Sequence, residues 1–364
     1  MKHLLALAAT LAISATALVA DPEPPHTTVF ERGTGGYHTY RIPAVVLTKN
    51  NTLLAFAEAR KAGGGDAGDI DLILKHSTDN GKTWSGPVLV WDDGNNTCGN
   101  PAPVVDHATG RIWLPLTWNL GSDHERDIMA GKSEQPRHVY ITHSDDDGLT
   151  WAKPKKISAT ARKDHWRWYA TGPGNAIQLQ HGEHAGRIVV PCNHSDHSDP
   201  DKHPYRSHVI YLDPGTDEWK LGAVHEDKTN ESAIAEMFDG TLLQAMRSYH
   251  GKNRRALAWS SDSGESFSPV TLADELDTPV CQATLIALPD RRVAFASPKG
   301  KKRANMTVWI SSDSGVTWPV EKTIYPGPAA YSNLVLLPDN HLGLLYEKDG
   351  YQSISFTSFP IPVR

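Results

Sequence analysis

One eight-residue turn motif occurs four times along this chain: Ser77-Thr78-Asp79-Asn80-Gly81-Lys82-Thr83-Trp84, Ser144 to Trp151, Ser260 to Phe267 and Ser311 to Trp318. In each copy the Ser and Asp side chains can hydrogen-bond the turn backbone, Gly supplies the positive φ of a tight reversal, and the closing aromatic can pack underneath. One copy would specify a hairpin. Four specify a repeated β unit. Ser260 and Ser311 lie 51 residues apart and Ser77 and Ser144 lie 67 apart, intervals that suit one four-stranded sheet with its loops. A degenerate copy, Tyr211-Leu212-Asp213-Pro214-Gly215 followed by Trp219, falls in the long gap between the second and third. Radial repetition is one way for a long antiparallel chain to protect its sheet edges. The expected fold is therefore all-β, a six-bladed β-propeller.

The 364 residues include 29 Gly, 25 Pro and 11 Trp, rich in turn formers and large aromatics, with no long helical periodicity. Residues 1–20, MKHLLALAATLAISATALVA, have a basic start, a short Leu/Ala stretch and small residues before Asp21. This is the pattern of a secretory signal peptide, too short and Ala-rich for a membrane span. Residues 21–364 are then expected to form one exported domain, secreted or periplasmic. Without Lys2 the count is 35 basic to 42 acidic residues, a net −7, which argues against a nucleic-acid partner. Cys98, Cys192 and Cys281 are too few and too scattered for a disulfide framework, although one pair is possible. No metal-ligand spacing occurs, and His194-Ser195-Asp196-His197 reads as a solvated loop, so neither metal nor organic cofactor is expected.

Near the start of the mature chain stands Tyr40-Arg41-Ile42-Pro43-Ala44, continuing through Val45, Val46 and Leu47 as a buried strand would. An Arg-Ile-Pro ahead of four such turns resembles the sialidase (neuraminidase) family, whose Asp-box turns have this form. The resemblance runs from about Thr34 to Phe356. It implies three arginines converging on the carboxylate of sialic acid, a task suited to a planar, permanently charged guanidinium. Arg41 matches the first. Arg303, in Lys302-Arg303-Ala304-Asn305-Met306, matches the third. For the second, Arg255 lies five residues before Ser260, with Arg254 and Arg247 as rivals. Glu347, in Leu344-Leu345-Tyr346-Glu347, matches the glutamate that orients the first arginine.

The substrate of such an enzyme carries a carboxylate at the reacting carbon, where an Asp or Glu nucleophile would meet like charge. A neutral tyrosine avoids this, and sialidases are the glycosidases with a tyrosine nucleophile. Tyr331, in Ala329-Ala330-Tyr331-Ser332-Asn333, matches it; Glu236, in Ala233-Ile234-Ala235-Glu236-Met237, matches its base, with Glu231 a nearby competitor. A general acid on a mobile loop is expected at Asp66, after Gly63-Gly64-Gly65 and 11 residues before Ser77, with Asp69 and Asp71 as rivals. Glu58 and Arg60 are expected to pair or touch the sugar, and Asn100 and Gly172-Pro173-Gly174 to line the pocket. The resemblance implies an exo-α-sialidase acting with retention on sialylated glycans. Its alternatives are a transsialidase, a hydrolase of a related 2-keto-3-deoxy sugar acid, and a non-catalytic sugar-binding propeller.

Overall fold

A computed structural model describes residues 23–199, 202 and 204–363; the expected signal peptide lies outside them. Among the described residues the fold is all-β, with strands interrupted only by two short helices, Glu125–Met129 and Ser158–Ala161. No helix among them is long and apolar enough to cross a membrane. The strands form four hydrogen-bonded sheets. The first begins with the antiparallel neighbours Thr39–Leu47, Leu53–Arg60 and Ile70–Ser77 and reaches Ile112–Asn119 and His138–Ser144 through a single parallel pairing, Ile70 with Thr97. A second sheet is built on Trp166–Thr171, Ile188–Asp196, Tyr205–Leu212 and Trp219–Val224, and a third on Thr229–Glu236, Leu242–Ser248, Arg254–Ser260 and Thr271–Asp277.

The fourth sheet contains the 17-residue strand Val320–Leu336. Its first half pairs with Ala304–Ser311 and its second half with His341–Lys348. The chain ends meet here, because His26–Glu31 pairs antiparallel with Ser353–Pro360.

The repeated turns pack against strands outside their own hairpins, three of them against a different sheet. Ser77 Oγ donates to Asp79 Oδ1 (2.8 Å) and accepts from Gly81 N (2.9 Å), Asp79 accepts from Thr83 N (2.9 Å), and Trp84 Nε1 donates to Gly81 O (3.1 Å). The copies at Ser144, Ser260 and Ser311 repeat the Ser–Asp–Gly network. The tight reversal puts two consecutive residues at positive φ, as at Asn80 (60°) and Gly81 (83°). Glycine is also required for space: a Cβ at Gly81 would sit 2.1 Å from the Phe356 ring, and one at Gly315 2.3 Å from Leu243. The closing aromatics extend the same contacts, Trp84 edge-on to Phe356 and Trp151 edge-on to Phe56. The degenerate copy keeps the packing, with Trp219 edge-on to Trp113, but its Asp213 instead binds Arg187 (2.8 Å) and Lys220 (3.0 Å).

Cys98, Cys192 and Cys281 are buried free thiols. His194, Ser195 and Asp196 are not in a solvated loop. They end the buried strand Ile188–Asp196, where His194 stacks on Trp166 (3.4 Å between centroids) and its Nδ1 lies 3.0 Å from that of His208.

Candidate active site

The inner ends of strands from all four sheets border one polar pocket of about 170 Å³. At its base is Tyr331, 6% exposed, on the second half of Val320–Leu336. Its hydroxyl donates to Glu231 Oε1 at 2.6 Å and accepts from Arg247 Nη1 at 3.2 Å, and Arg247 Nη1 also binds Glu231 Oε2 at 2.7 Å. Burial, and then the Glu231 carboxylate, push the Tyr331 phenol well above its ordinary range. The resting group is therefore a neutral phenol hydrogen-bonded to a carboxylate.

Glu236, expected as the base, is placed away from this phenol, which meets Glu231 instead. Glu236 is five residues further along Thr229–Glu236, about 16 Å at 3.2–3.4 Å per residue, and its carboxylate accepts from the backbone amides of Gln180 (2.6 Å) and His181 (3.0 Å). The pairing of this strand with Leu242–Ser248 shifts register between Thr229 and Ser232, around Glu231. A register shift of this kind can re-aim a side chain, which face alternation read from sequence does not anticipate.

The second arginine is corrected in the same way. Arg255 is 1% exposed and turned into the core, donating to Cys281 O at 2.8 Å with its ion lying over Phe295. Burial lowers its pKa to about 9. Arg254 faces outward to Asp277 at 2.9 Å. Arg247, at the end of the adjacent strand, is the one that borders the pocket beside Glu231 and Tyr331.

Arg41 and Arg303 border the pocket as expected from their motifs. The Arg41 fork closes on Glu347, Nε to Oε1 at 2.6 Å and Nη2 to Oε2 at 3.2 Å. Glu347, 1% exposed, also accepts from Ile42 N (3.0 Å) and Tyr331 N (3.1 Å), so one carboxylate ties the first arginine to the backbone of the tyrosine. Arg303 donates to Tyr351 OH (3.0 Å), and its ion lies 5.4 Å from the Tyr331 ring centroid. Three permanent cations thus surround one phenol.

Asp66 stands at the rim, its side chain 62% exposed, 2.7 Å from Arg60 and 3.8 Å from Arg41. Burial alone would raise its pKa, but Arg60 and Arg41 outweigh it and hold the carboxyl below its ordinary value. Arg60 also donates to the carbonyls of Gly64 (2.7 Å) and Gly65 (2.9 Å), so the glycine loop is pinned where free movement was expected. Arg60 is itself fixed by Glu58, whose other oxygen accepts from Asn100 N at 2.9 Å. Asp69 and Asp71 point elsewhere, both to Lys61, with Tyr37 OH donating to Asp71 at 2.6 Å.

Sequence motifs gave no notice of the remaining wall. Glu125, Arg137, Trp168, Asn193 and Tyr249 come from separate stretches of the chain, none of them in a repeated turn. Burial raises the Glu125 carboxyl, which accepts from Tyr205 OH at 2.5 Å.

As assembled, the pocket brings together a phenol hydrogen-bonded to a carboxylate, three arginines around it, and a further carboxylate at the open side. Residues 51–346 match the family described as a BNR repeat-like domain. The chain is 31% identical over 338 residues to the sialidase of Micromonospora viridifaciens, covering 86% of this chain and half of that protein. It is 30% identical over 343 residues to the exo-alpha-sialidase of Aspergillus fumigatus, covering 86% of this chain and 80% of that one. Among solved structures, the Hadza microbial sialidase Hz136 has a TM-score of 0.81 at 26% identity, over 92% of this chain and 68% of the other.

Proposed function

Since the chain belongs to the BNR-repeat sialidase family of glycoside hydrolases, we propose that it is an exo-α-sialidase that removes terminal α-linked sialic acid from sialylated glycans with retention. The observation that carries this reading is the Tyr331–Glu231 hydrogen bond of 2.6 Å inside the arginine tripod. Arg41, Arg247 and Arg303 hold the substrate carboxylate through charge-assisted hydrogen bonds. As Tyr331 Oη bonds to the anomeric carbon, its proton passes to Glu231 Oε1, and Arg247 Nη1 stabilises the oxygen as charge develops on it. Asp66, protonated in the bound complex, gives its proton to the departing glycosidic oxygen. It then takes a proton from the water that displaces Tyr331, and the second inversion restores the original configuration. No metal or organic cofactor enters this scheme.

Glu347 acts on both partners at once, fixing the Arg41 fork and the Tyr331 backbone. Glu58 and Arg60 position Asp66 and its loop. The fold belongs to the same reading: six blades of four or five strands result if the first sheet is divided at the lone Ile70–Thr97 pairing and the fourth within Val320–Leu336. Pairing of His26–Glu31 with Ser353–Pro360 then closes the ring. Export directed by residues 1–20 would bring the enzyme to extracellular glycans.

A 2,3-difluoro sialic acid tests the chemistry. Tyr331 displaces the fluoride at the anomeric carbon, and the second fluorine slows release of the adduct. Peptide mapping is expected to find the sugar on Tyr331, with no adduct in Tyr331→Phe. An adduct on an Asp or Glu, or none under conditions of turnover, would overturn the proposal.

A further inference from the structure

A second cavity, of about 620 Å³, lies along the same strands as the Tyr331 pocket. Thr39–Leu47 gives Arg41 to the pocket and Val45 to the cavity, Thr229–Glu236 gives Glu231 and Ala235, and Val320–Leu336 gives Tyr331 and Val335. Each pair is four residues apart, about 13 Å of strand. Buried amides lie between: Asn333 Oδ1 accepts from Val45 N (2.7 Å), Asn333 Nδ2 donates to Thr284 Oγ1 (3.1 Å), and Gln282 Nε2 donates to Pro173 O and Ser332 O (3.0 Å each). The two spaces are therefore distinct, and their walls differ in chemistry. Val45, Val105, Ile177, Ala235, Leu285 and Val335, from strands of all four sheets, give the second cavity an apolar lining.

Charged groups at the edge of this cavity are mostly engaged. Arg292 closes on Asp290 at 2.6 Å, and Glu236 accepts from the amides of Gln180 and His181. Arg291 also borders the cavity, yet it makes no ion pair among the described residues, and its guanidinium lies 4.0 Å from the ring centroid of Phe238, which is 57% exposed. Its backbone is the exception among equivalent turns. At Asn51, Gly240, Asn340 and Arg291 the chain leaves a cavity-lining strand through the same reversal, in which the N–H donates to the carbonyl three positions earlier. All four have positive φ, at 61°, 83°, 60° and 69° in that order. Gly and Asn take this conformation readily and an arginine does not. A residue held in a sparsely populated conformation beside a cavity points to a use for its side chain.

We propose that this cavity binds an amphipathic carboxylate of the fatty-acid class, its chain against the apolar walls and its head on the Arg291 guanidinium. The planar fork of arginine matches a carboxylate, and an alkyl chain leaves no polar group unpaired against such walls. The volume falls in the range of small-molecule sites. The inference is independent of the sialidase reading, because no residue of the cavity takes part in that chemistry. Calorimetry on the whole protein with laurate and with laurylamine, both kept monomeric, tests it. Laurate should bind at one site per chain, and laurylamine, which sets like charge against Arg291, roughly tenfold or more weakly. Arg291→Asn gives the turn the residue of its counterparts Asn51 and Asn340. It should lower laurate affinity roughly tenfold or more while leaving the thermal midpoint at or above that of the parent. Ala287→Trp, at an exposed position bordering the cavity, should fill it and abolish binding.

The arginines of the Tyr331 pocket also attract a carboxylate, so the titration is repeated with saturating 2,3-dehydro sialic acid, which should leave laurate affinity unchanged. Displacement of laurate by that analogue, equal binding of laurate and laurylamine, or affinity undisturbed in both variants would overturn the proposal. So would a concentration-dependent dimer in sedimentation that Ala287→Trp abolishes, since the apolar walls would then belong to a contact with a second copy.

Discussion

The proposed chemistry asks Tyr331 to be a neutral phenol when the anionic substrate arrives and a nucleophile once it is bound. The 2.6 Å bond to Glu231 and the 3.2 Å contact from Arg247 meet both demands: burial keeps the proton on the resting phenol, and the carboxylate stands ready to receive it. Glu231→Gln removes the acceptor at nearly constant shape and should lower kcat on the order of 10²- to 10⁴-fold. Glu236→Gln, far along the same strand, should leave kcat within a few-fold. Steady-state kinetics of the pair decides between the two glutamates, and equal losses would return the question to open ground. A second residue-scale prediction concerns Asp66. In the free protein Arg60 and Arg41 hold its carboxyl low, hence ionised near neutrality. A bound substrate carboxylate offsets the Arg41 charge and excludes water, both of which raise the Asp66 pKa. In the proposed scheme activity requires the protonated acid, so it should fall as pH rises through that pKa. The alkaline limb for sialyllactose should therefore lie at higher pH in kcat than in kcat/KM. Asp66→Ala should lose on the order of 10²-fold or more on sialyllactose and much less on an aryl sialoside, whose phenolate leaves unaided. Coincident limbs, or equal losses on both substrates, would take the acid role from Asp66.

At the scale of the element, the repeated turn serves stability rather than chemistry. Ser144→Ala deletes the acceptor for the buried Gly148 N–H and the donor to Asp146, and should cost about 1–3 kcal/mol by denaturant unfolding with KM unchanged. A changed KM with unchanged stability would contradict this division. The strand Ile188–Asp196 makes its own prediction through His194 and His208. Both are buried, with pKa values driven well below the ordinary histidine range by burial and then by neighbouring positive groups, among them His208, Arg206, Lys163 and His165 for His194, and His225 and Lys163 for His208. The folded state keeps them neutral while the unfolded chain protonates them near pH 6.5, so below that pH the unfolded state binds more protons and stability falls as pH falls. The thermal midpoint should drop between pH 7.5 and 5.5, and drop less in His194→Gln. An equal drop would assign the effect to other groups.

The elements also explain what was legible in the sequence. The turn motif is local, each bond within a few residues, so the all-β class and the sheet spacing could be read directly. Arg41, Arg303, Tyr331 and Glu347 stood in short motifs whose neighbours determine which way they face. Glu231 and Arg247 did not. Choosing Glu231 over Glu236, or Arg247 over Arg255, depends on a register shift and on which of two adjacent strands reaches the pocket, and neither leaves a signal in a window of a few residues. The Arg137–Asn193 wall is assembled from segments more than 50 residues apart and is visible only once the chain has folded.

At the scale of the whole molecule, strands from all four sheets deliver their ends to one pocket, while the repeated turns hold neighbouring sheets in contact at a distance from it. Chemistry and stability thus occupy separate parts of the same strands. The proposed mechanism makes two displacements at one carbon. Proton NMR of a sialyllactose digest, recorded within the first minutes, tests that requirement most directly. The α anomer of free sialic acid should appear first and convert slowly to the β anomer by mutarotation. If the β anomer appears first, water attacks in a single displacement, and Tyr331 with Glu231 cannot be the nucleophile and its base.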